Sequence, residues 1–480
     1  MGLMSSLEIG KRALLAQRLG LDVTSNNIAN VNTPGYSRQQ AIFSETDPRF
    51  GKGGFLGTGV IADKLRTFRE EYYDREIRTT LSRKSLYAED ELTFQRIEAI
   101  LAEPSEYGLN EEISKFFNAF EELSGNPQNV GLRDYVLGVS SSLVERFHTT
   151  AQKLIDTRKE IGGKISTNID AINKMLSDIS ELNGKVANSK AMSSIESQTL
   201  VDQRELILEN LSELTGINVT QGQNGMVNVF INGINVVTGT SNSTLKSNEV
   251  INQTTGERTI QITKVDSQGN TMNVLNIQSG ELASQIKHYN TTLDDKDTSG
   301  GFSAMKKLDE FANALATKIN AMTINGYGLD DTTAPPPGRT FFVNSSGTFT
   351  ASDIEIASDI RNNPRNIPLS DAPGEPGNST IALQIARLAN DSTFLDSSTP
   401  SEFYSGYLGK IGTLGNEAVN GNTTTTLIFQ QLGNQRESVI GVNLDEEGIN
   451  LIKYQKAFEA SSRIINTTND LLNTVINLGL

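Results

Sequence analysis

The sequence predicts a mainly α, multi-domain protein: terminal helices forming a coiled coil, a helical-bundle body and an inserted small β domain. Three observations carry this expectation. Amphipathic segments at the two ends, Leu3 to Tyr36 and Val442 to Leu478, place apolar residues at alternating three-and-four spacing, which keeps them on one helix face. Long stretches between them keep that period, and between Ile217 and Ile277 it falls to two, the alternation of a half-buried strand. A chain of 480 residues exceeds one core, so two to four units are expected. They are drawn as 1–40 with 441–480 (terminal), 41–215 with 280–440 (helical body) and 216–279 (β insertion).

In the first segment Leu3, Leu7, Gly10, Leu14, Gln17 and Leu21 form a seam, flanked by Ile9, Ala13 and Ala16. Small residues there would let a second helix approach closely. Asn26, Asn27, Asn30 and Asn32 crowd the end, where asparagine amides compete for backbone groups, so the helix should stop. Thr33-Pro34-Gly35-Tyr36 then reads as a tight turn, with proline fixing φ at the second position and glycine free to take positive φ at the third.

Gly51 to Gly59 is glycine-rich but has neither the dinucleotide nor the P-loop order, so it reads as a β-turn or extended segment. Helical pattern then covers Glu70 to Ala102, Asn110 to Ser124, Gln128 to Val186 and Ile195 to Leu214, with breaks at Pro104, Gly108 and Asn126-Pro127. Within it Ile161, Ile165, Ile172, Met175, Ile179, Leu182 and Val186 make a stripe that reads as core. Val227, Val229 and Ile231 alternate with polar or outward residues, and Asn232-Gly233 supplies a favoured hairpin turn before Ile234 and Val236. Helical pattern resumes from Glu281 to Met322, interrupted near 294–301. Short strands are expected in 340–375, and helices in Thr380 to Asn390 and Ser401 to Val439.

The last segment has the stronger seam: Leu451, Tyr454, Phe458, Ser461, Ile465, Thr468, Leu472 and Val475, with Ala457, Ala460, Ile464, Leu471 and Leu478 beside it. A helix from Asn443 to Leu478 would be roughly 50 Å long at 1.5 Å per residue, more than a small core needs. Asp445, Glu446 and Glu447 fall in its first turn, at the positive end of the helix dipole. Four bases against two acids in 1–40, and three against five in 441–480, leave the ends oppositely but weakly charged. Periodicity alone favours two ordinary core helices of one globule.

Composition narrows function. A net charge of −15 and pI near 4.8 oppose binding to nucleic acid or an anionic membrane. No run of about 20 apolar residues is present to insert in a bilayer, and charged residues interrupt the N-terminus where a cleaved secretory signal would need an apolar stretch. Cysteine is absent, and His148 and His288 are the two histidines, in no zinc motif. Asp295, Asp297 and Gly300 copy the opening of a calcium loop, but Lys306 stands at the twelfth position, where a bidentate acid is required. Adjacent acids such as Glu121 and Glu122 read as solvated helix faces. No catalytic residue, cofactor or metal ligand is expected.

The run from Gly20 to Gln40 resembles the N-terminal signature of the bacterial flagellar axial proteins, the family of rod, hook and hook-associated subunits. Gly441 to Glu447, Asn450 to Ser461 and Ile464 to Thr467 resemble its C-terminal signature. Leu432 to Val439, Ser37-Arg38-Gln39, Gly326 to Asp330 with Phe341-Phe342, and Asp353 to Pro364 are similar to the hook-associated branch, whose members include the subunit joining hook to filament. The resemblance implies a secreted structural subunit, exported unfolded by the flagellar type III apparatus and located at the hook-filament junction. Its implied partners are copies of itself, the hook protein, the next hook-associated protein, and an export chaperone at the C-terminal helix. Leu3, Leu7, Leu14, Leu21, Leu451, Tyr454, Phe458, Ile465, Leu472 and Val475 are then the candidate assembly contacts, and Asn30, Thr33, Pro34, Gly35 and Tyr36 the signature turn. A hook or rod component, a secreted hydrolase and an unrelated coiled-coil scaffold remain the rival readings.

Overall fold

A computed structural model describes residues 3–51, 54–101, 108–191, 196–266, 268–296, 300–345 and 347–478. Its helices in chain order are α1 (Leu3–Ala29), α2 (Glu71–Leu101), α3 (Leu109–Gly125), α4 (Val130–Ala191), α5 (Glu196–Leu214), α6 (Glu281–Lys287), α7 (Ala304–Thr323), α8 (Ser358–Asn362), α9 (Thr380–Arg387), α10 (Pro400–Ile440) and α11 (Leu444–Leu478). The expected helical segments are all present. Gly108 is the N-cap of α3 and Asn126 its C-cap, as the breaks suggested. Pro104 and Ile195, like Asp297 of the calcium-loop motif, lie outside the described residues. In α4 the buried stripe runs through Leu176 rather than Met175.

The chain divides into two compact units: Met1–Leu81 with Lys174–Ser243 and Thr426–Leu480, and Ser82–Asn173 with Thr244–Thr425. The first unit holds an antiparallel ribbon of β1 (Gln39–Glu45) and β4 (Val60–Thr67), with the small hairpin of β2 (Arg49–Gly51) and β3 (Gly54–Leu56) between them in sequence. It also holds a four-stranded sheet of β5 (Ile217–Gln221), β6 (Val227–Ile231), β7 (Ile234–Thr238) and β8 (Ser241–Asn242) in sequential order. Asn232 and Gly233 both take positive φ, 45° and 80°, as the twist of a two-residue hairpin requires. Asn183 of α4 holds this sheet: its amide donates to Val227 O at 2.8 Å and its oxygen accepts from Val227 N at 3.0 Å.

The second unit carries β9 (Thr244–Ile251), β10 (Arg258–Val265) and β11 (Thr271–Leu275), with β10 central, and the short pair β12 (Phe342–Val343) and β13 (Glu355–Ile356). Residues 216–279, read from sequence as one β insertion, thus form two sheets. Asn173 explains where the second begins, bonding Leu245 N at 2.8 Å and Leu245 O at 2.9 Å as a strand neighbour would. The core of this unit gathers Phe116, Phe120, Phe341 and Phe342 in one aromatic cluster, and Phe147, Phe311, Phe394 and Phe403 in another. Buried Arg133 donates to the carbonyls of Pro127 at 2.8 Å and Ile367 at 2.9 Å. His288 is buried with Nε2 at 2.9 Å from Asp90 and Nδ1 at 3.0 Å from Thr292, and His148 bonds Ile354 O at 2.8 Å.

One half-buried acid makes the stability of this unit pH-dependent. Burial pushes Asp309 up to about 7, against a 2.7 Å bond from Ala351 N that favours the charged form. A raised carboxyl keeps its proton in the folded state after the unfolded chain has lost it, so stability falls as pH rises from about 4 to 7. Asp309→Asn keeps an acceptor for Ala351 and removes the charge. Its urea midpoint is expected to exceed wild type at pH 8, by on the order of 2–4 kcal/mol in stability, and to converge with it at pH 4. Equal midpoints at pH 8 would show that Asp309 ionises freely.

Candidate assembly interface

The two ends meet: Gly10 lies against Ile465, Gly20 against Tyr454, and Asn27 bonds Glu447, so α1 and α11 pack antiparallel. Small residues set the spacing. A Cβ on Gly10 would sit 2.9 Å from Ile465 Cγ1, and one on Gly20 would sit 2.9 Å from Tyr454 Cδ1. Ala16 is buried on the same helix. Gly20→Val must therefore displace the Tyr454 ring, and overpacking of this kind costs about 1–3 kcal/mol. A lowered melting midpoint is the expected readout, and an unchanged one would mean that the helices are already further apart at this point.

Helix α1 ends where the asparagines predict. Asn30 turns its amide back onto Asn26 O at 2.9 Å, and the following turn closes with Tyr36 N donating to Thr33 O at 3.2 Å. Gly35 takes φ +76°, the value a type II turn requires at its third position. Helix α11 starts at an Asn443 cap, whose Oδ1 accepts from Asp445 N at 2.9 Å.

A buried polar clasp joins this turn to both helices. The Asn27 amide donates to Gln39 O at 2.8 Å and to Glu447 Oε2 at 3.2 Å, while its oxygen accepts from Tyr36 OH at 2.8 Å and Gln39 N at 3.1 Å. Arg38 Nη2 completes the clasp, 2.8 Å from both Glu447 and Glu446. On the other side of the turn, Asp202 of α5 accepts from Ser37 N at 3.2 Å and Ser37 Oγ at 3.0 Å, and pairs with Arg69 at 2.9 Å. Arg69 also meets Asp74 at 2.7 Å, and Arg78 pairs with buried Glu205. Burial pushes Asp202 and Glu205 up despite these cations. It also pushes the Tyr36 hydroxyl up to about 12, with Asp202 and Glu447 adding to the effect.

Of the ten candidate contact residues, Leu3, Leu7, Leu14, Leu21, Leu451, Tyr454, Phe458, Ile465 and Leu472 are half-buried, and Val475 is exposed. The seam of α11 thus turns toward α1, with Glu447, Ser461 and Thr468 buried along it. A second row faces solvent: Ile449, Ile464 (52% exposed), Leu471 (50%) and Val475, with Ile452 and Ile476 exposed to either side of it. Asn27, Arg38, Glu447 and Asp202 were not among the candidate residues. The first three lie inside recognisable end motifs, whereas nothing local marks Asp202, which acts across 165 residues.

Paired terminal helices with an outward apolar row, clasped to a large folded middle, define a structural subunit built to assemble. The model of the flagellar hook-associated protein FlgK helical domain matches residues 94–342. The ends match models of flagella basal body rod protein (7–36) and flagellar basal body rod FlgEFG protein C-terminal (438–478). Flagellar hook-associated protein 1 of Bacillus subtilis is 26% identical over 98% of this chain and 97% of its own length. The protein of that name from Escherichia coli is 24% identical over 97% and 98%. The structure of the flagellar hook junction protein FlgK from Burkholderia pseudomallei superposes with a TM-score of 0.62 at 13% identity, covering 76% of this chain and 100% of that one. The chain belongs to the flagellar hook-associated protein FlgK family. It is a structural component of the bacterial flagellum and associates with other axial components. Among the described residues no helix is long and apolar enough to cross a membrane.

Proposed function

We propose that this chain joins hook to filament, and that the outward row of the α1–α11 pair is its docking surface. The observation that carries the proposal is a set of apolar side chains left open on a helix whose opposite face is already filled, since clustered exposed apolar residues mark interaction sites. The clasp of Asn27, Arg38 and Glu447 fixes the direction in which the pair presents that row. Copies of the chain pack side by side through it. The hook protein lies on one side and the next hook-associated protein on the other. Before secretion through the type III apparatus, an export chaperone covers the same row on α11. The role is mechanical rather than enzymatic, and involves neither nucleic acid nor membrane insertion.

A strain lacking the chain tests this reading. Hooks of normal length, no attached filaments and flagellin in the medium are expected. Normal filaments would contradict it, and so would immunogold label along the rod or hook instead of at the junction.

A further inference from the structure

One end of the terminal helix pair exposes a thioether. Met4 and Leu15 are the large apolar side chains open to water on α1, and Met4 is the more exposed at 71%. The antiparallel register sets Gly20 against Tyr454 and Gly10 against Ile465. Met4 precedes Gly10 by as many residues as Leu471 follows Ile465, so the same register brings Met4 to the level of Leu471. Leu471 and Val475 belong to the outward row of α11, and Met4 extends the apolar surface at this end onto α1. Its chemistry differs from that of its neighbours. The chain has no cysteine, which leaves methionine sulfur as its softest nucleophile. Among the described residues the exposed methionines are Met4 and, in the second unit, Met272 on β11, whereas Met305 is buried.

We propose that Met4 is an oxidisable site of the free chain, and that its conversion to the sulfoxide by hydrogen peroxide blocks docking of the terminal pair. A lone pair on Sδ attacks one peroxide oxygen, and the S–O bond forms as the O–O bond breaks. The proton on the attacked oxygen passes to the departing hydroxide, which leaves as water. Methionine is oxidised and the peroxide reduced. The product keeps the length of the side chain but exchanges an apolar end for a polar, chiral one. In the free chain this costs little, because Met4 is already solvated. In a contact that excludes water the new oxygen is left without a donor, which weakens binding by about tenfold or more. This proposal rests on the reading that the outward face of the α1–α11 pair is the docking surface, and adds a chemical condition on its use.

Purified full-length chain, untreated or exposed to hydrogen peroxide and then freed of it, is added to bare hooks from a strain lacking the chain. Bound chain is counted by immunogold, and peptide mass spectrometry locates the sulfoxides. Met4 and Met272 should be oxidised before Met305, and the treated chain should bind hooks about tenfold less well than the untreated one. Met4→Leu should bind equally before and after treatment, whereas Met272→Leu should keep the full sensitivity of the natural chain. A Met4 that stays reduced while Met272 is oxidised would overturn the proposal. So would treated chain that binds as well as untreated, or a loss of sensitivity in Met272→Leu, and each of these leaves the docking surface standing. Failure of the untreated chain to bind hooks would instead overturn the docking reading itself.

Discussion

Replacing Ile464 and Leu471 together by aspartate is expected to leave the purified chain folded, with an unfolding midpoint lowered less than by substitutions on the inward seam, and to abolish filament attachment. Both side chains lie on the solvent face of α11 and are about half exposed. Ile464 also reaches α1, its Cγ2 lying beside Gly10, so the double substitution removes part of the intramolecular pair but less than loss of a seam residue would. If they are buried in the assembled organelle, each loses about 1.5–3 kcal/mol of apolar burial and places a carboxylate in a desolvated contact. Two such losses weaken association by more than about a hundredfold. The matched control is Phe458→Asp with Ile465→Asp on the inward seam, where Ile465 lies against Gly10. That variant should lower the unfolding midpoint as well as attachment. Chain recovered from the medium separates failed docking from failed export. Filaments attached at wild-type frequency in the Ile464/Leu471 variant would show that the outward row is not a docking surface.

The second large effect is expected at Asn27. Its amide makes four hydrogen bonds in a site that is 1% exposed, one of them to the buried carboxylate of Glu447. Asn27→Asp preserves shape but removes the donor to Gln39 O and Glu447, and sets a second carboxylate 3.2 Å from the first. Leaving buried groups unpaired costs about 1–3 kcal/mol each, and the repulsion adds to that. A loss of about 3 kcal/mol or more at pH 8 is expected, partly recovered at pH 4 as the carboxylates take up protons. Hydrogen exchange should show early opening of α1 and α11. Protection equal to wild type at pH 8 would contradict the clasp.

The parts legible in the sequence were those fixed by local periodicity and turn chemistry. The spacing of Leu451 to Val475 gives α11 its seam, the asparagines stop α1, and Thr33 to Tyr36 and Asn232-Gly233 give their turns. Pairing between distant segments was not legible in the same way. The β1–β4 ribbon lacks a clean alternation, because α1 covers only part of it and the burial pattern is broken. Arg69, Asp74, Arg78 and Glu205 look like solvated helix charges until the fold brings them together around Asp202. The seam was expected to carry contacts with other subunits. Its partner is the chain's own other end, which moves the proposed docking surface one row around α11 to Ile464 and Leu471.

A helical reconstruction of the intact hook-filament junction by electron cryomicroscopy tests the central claim most directly. The expected density has α1 and α11 of one copy antiparallel, Gly20 against Tyr454, and Ile449, Ile464 and Leu471 buried against neighbouring subunits. Density in which those three side chains face open solvent, or in which α1 pairs with the α11 of a different copy, would contradict it.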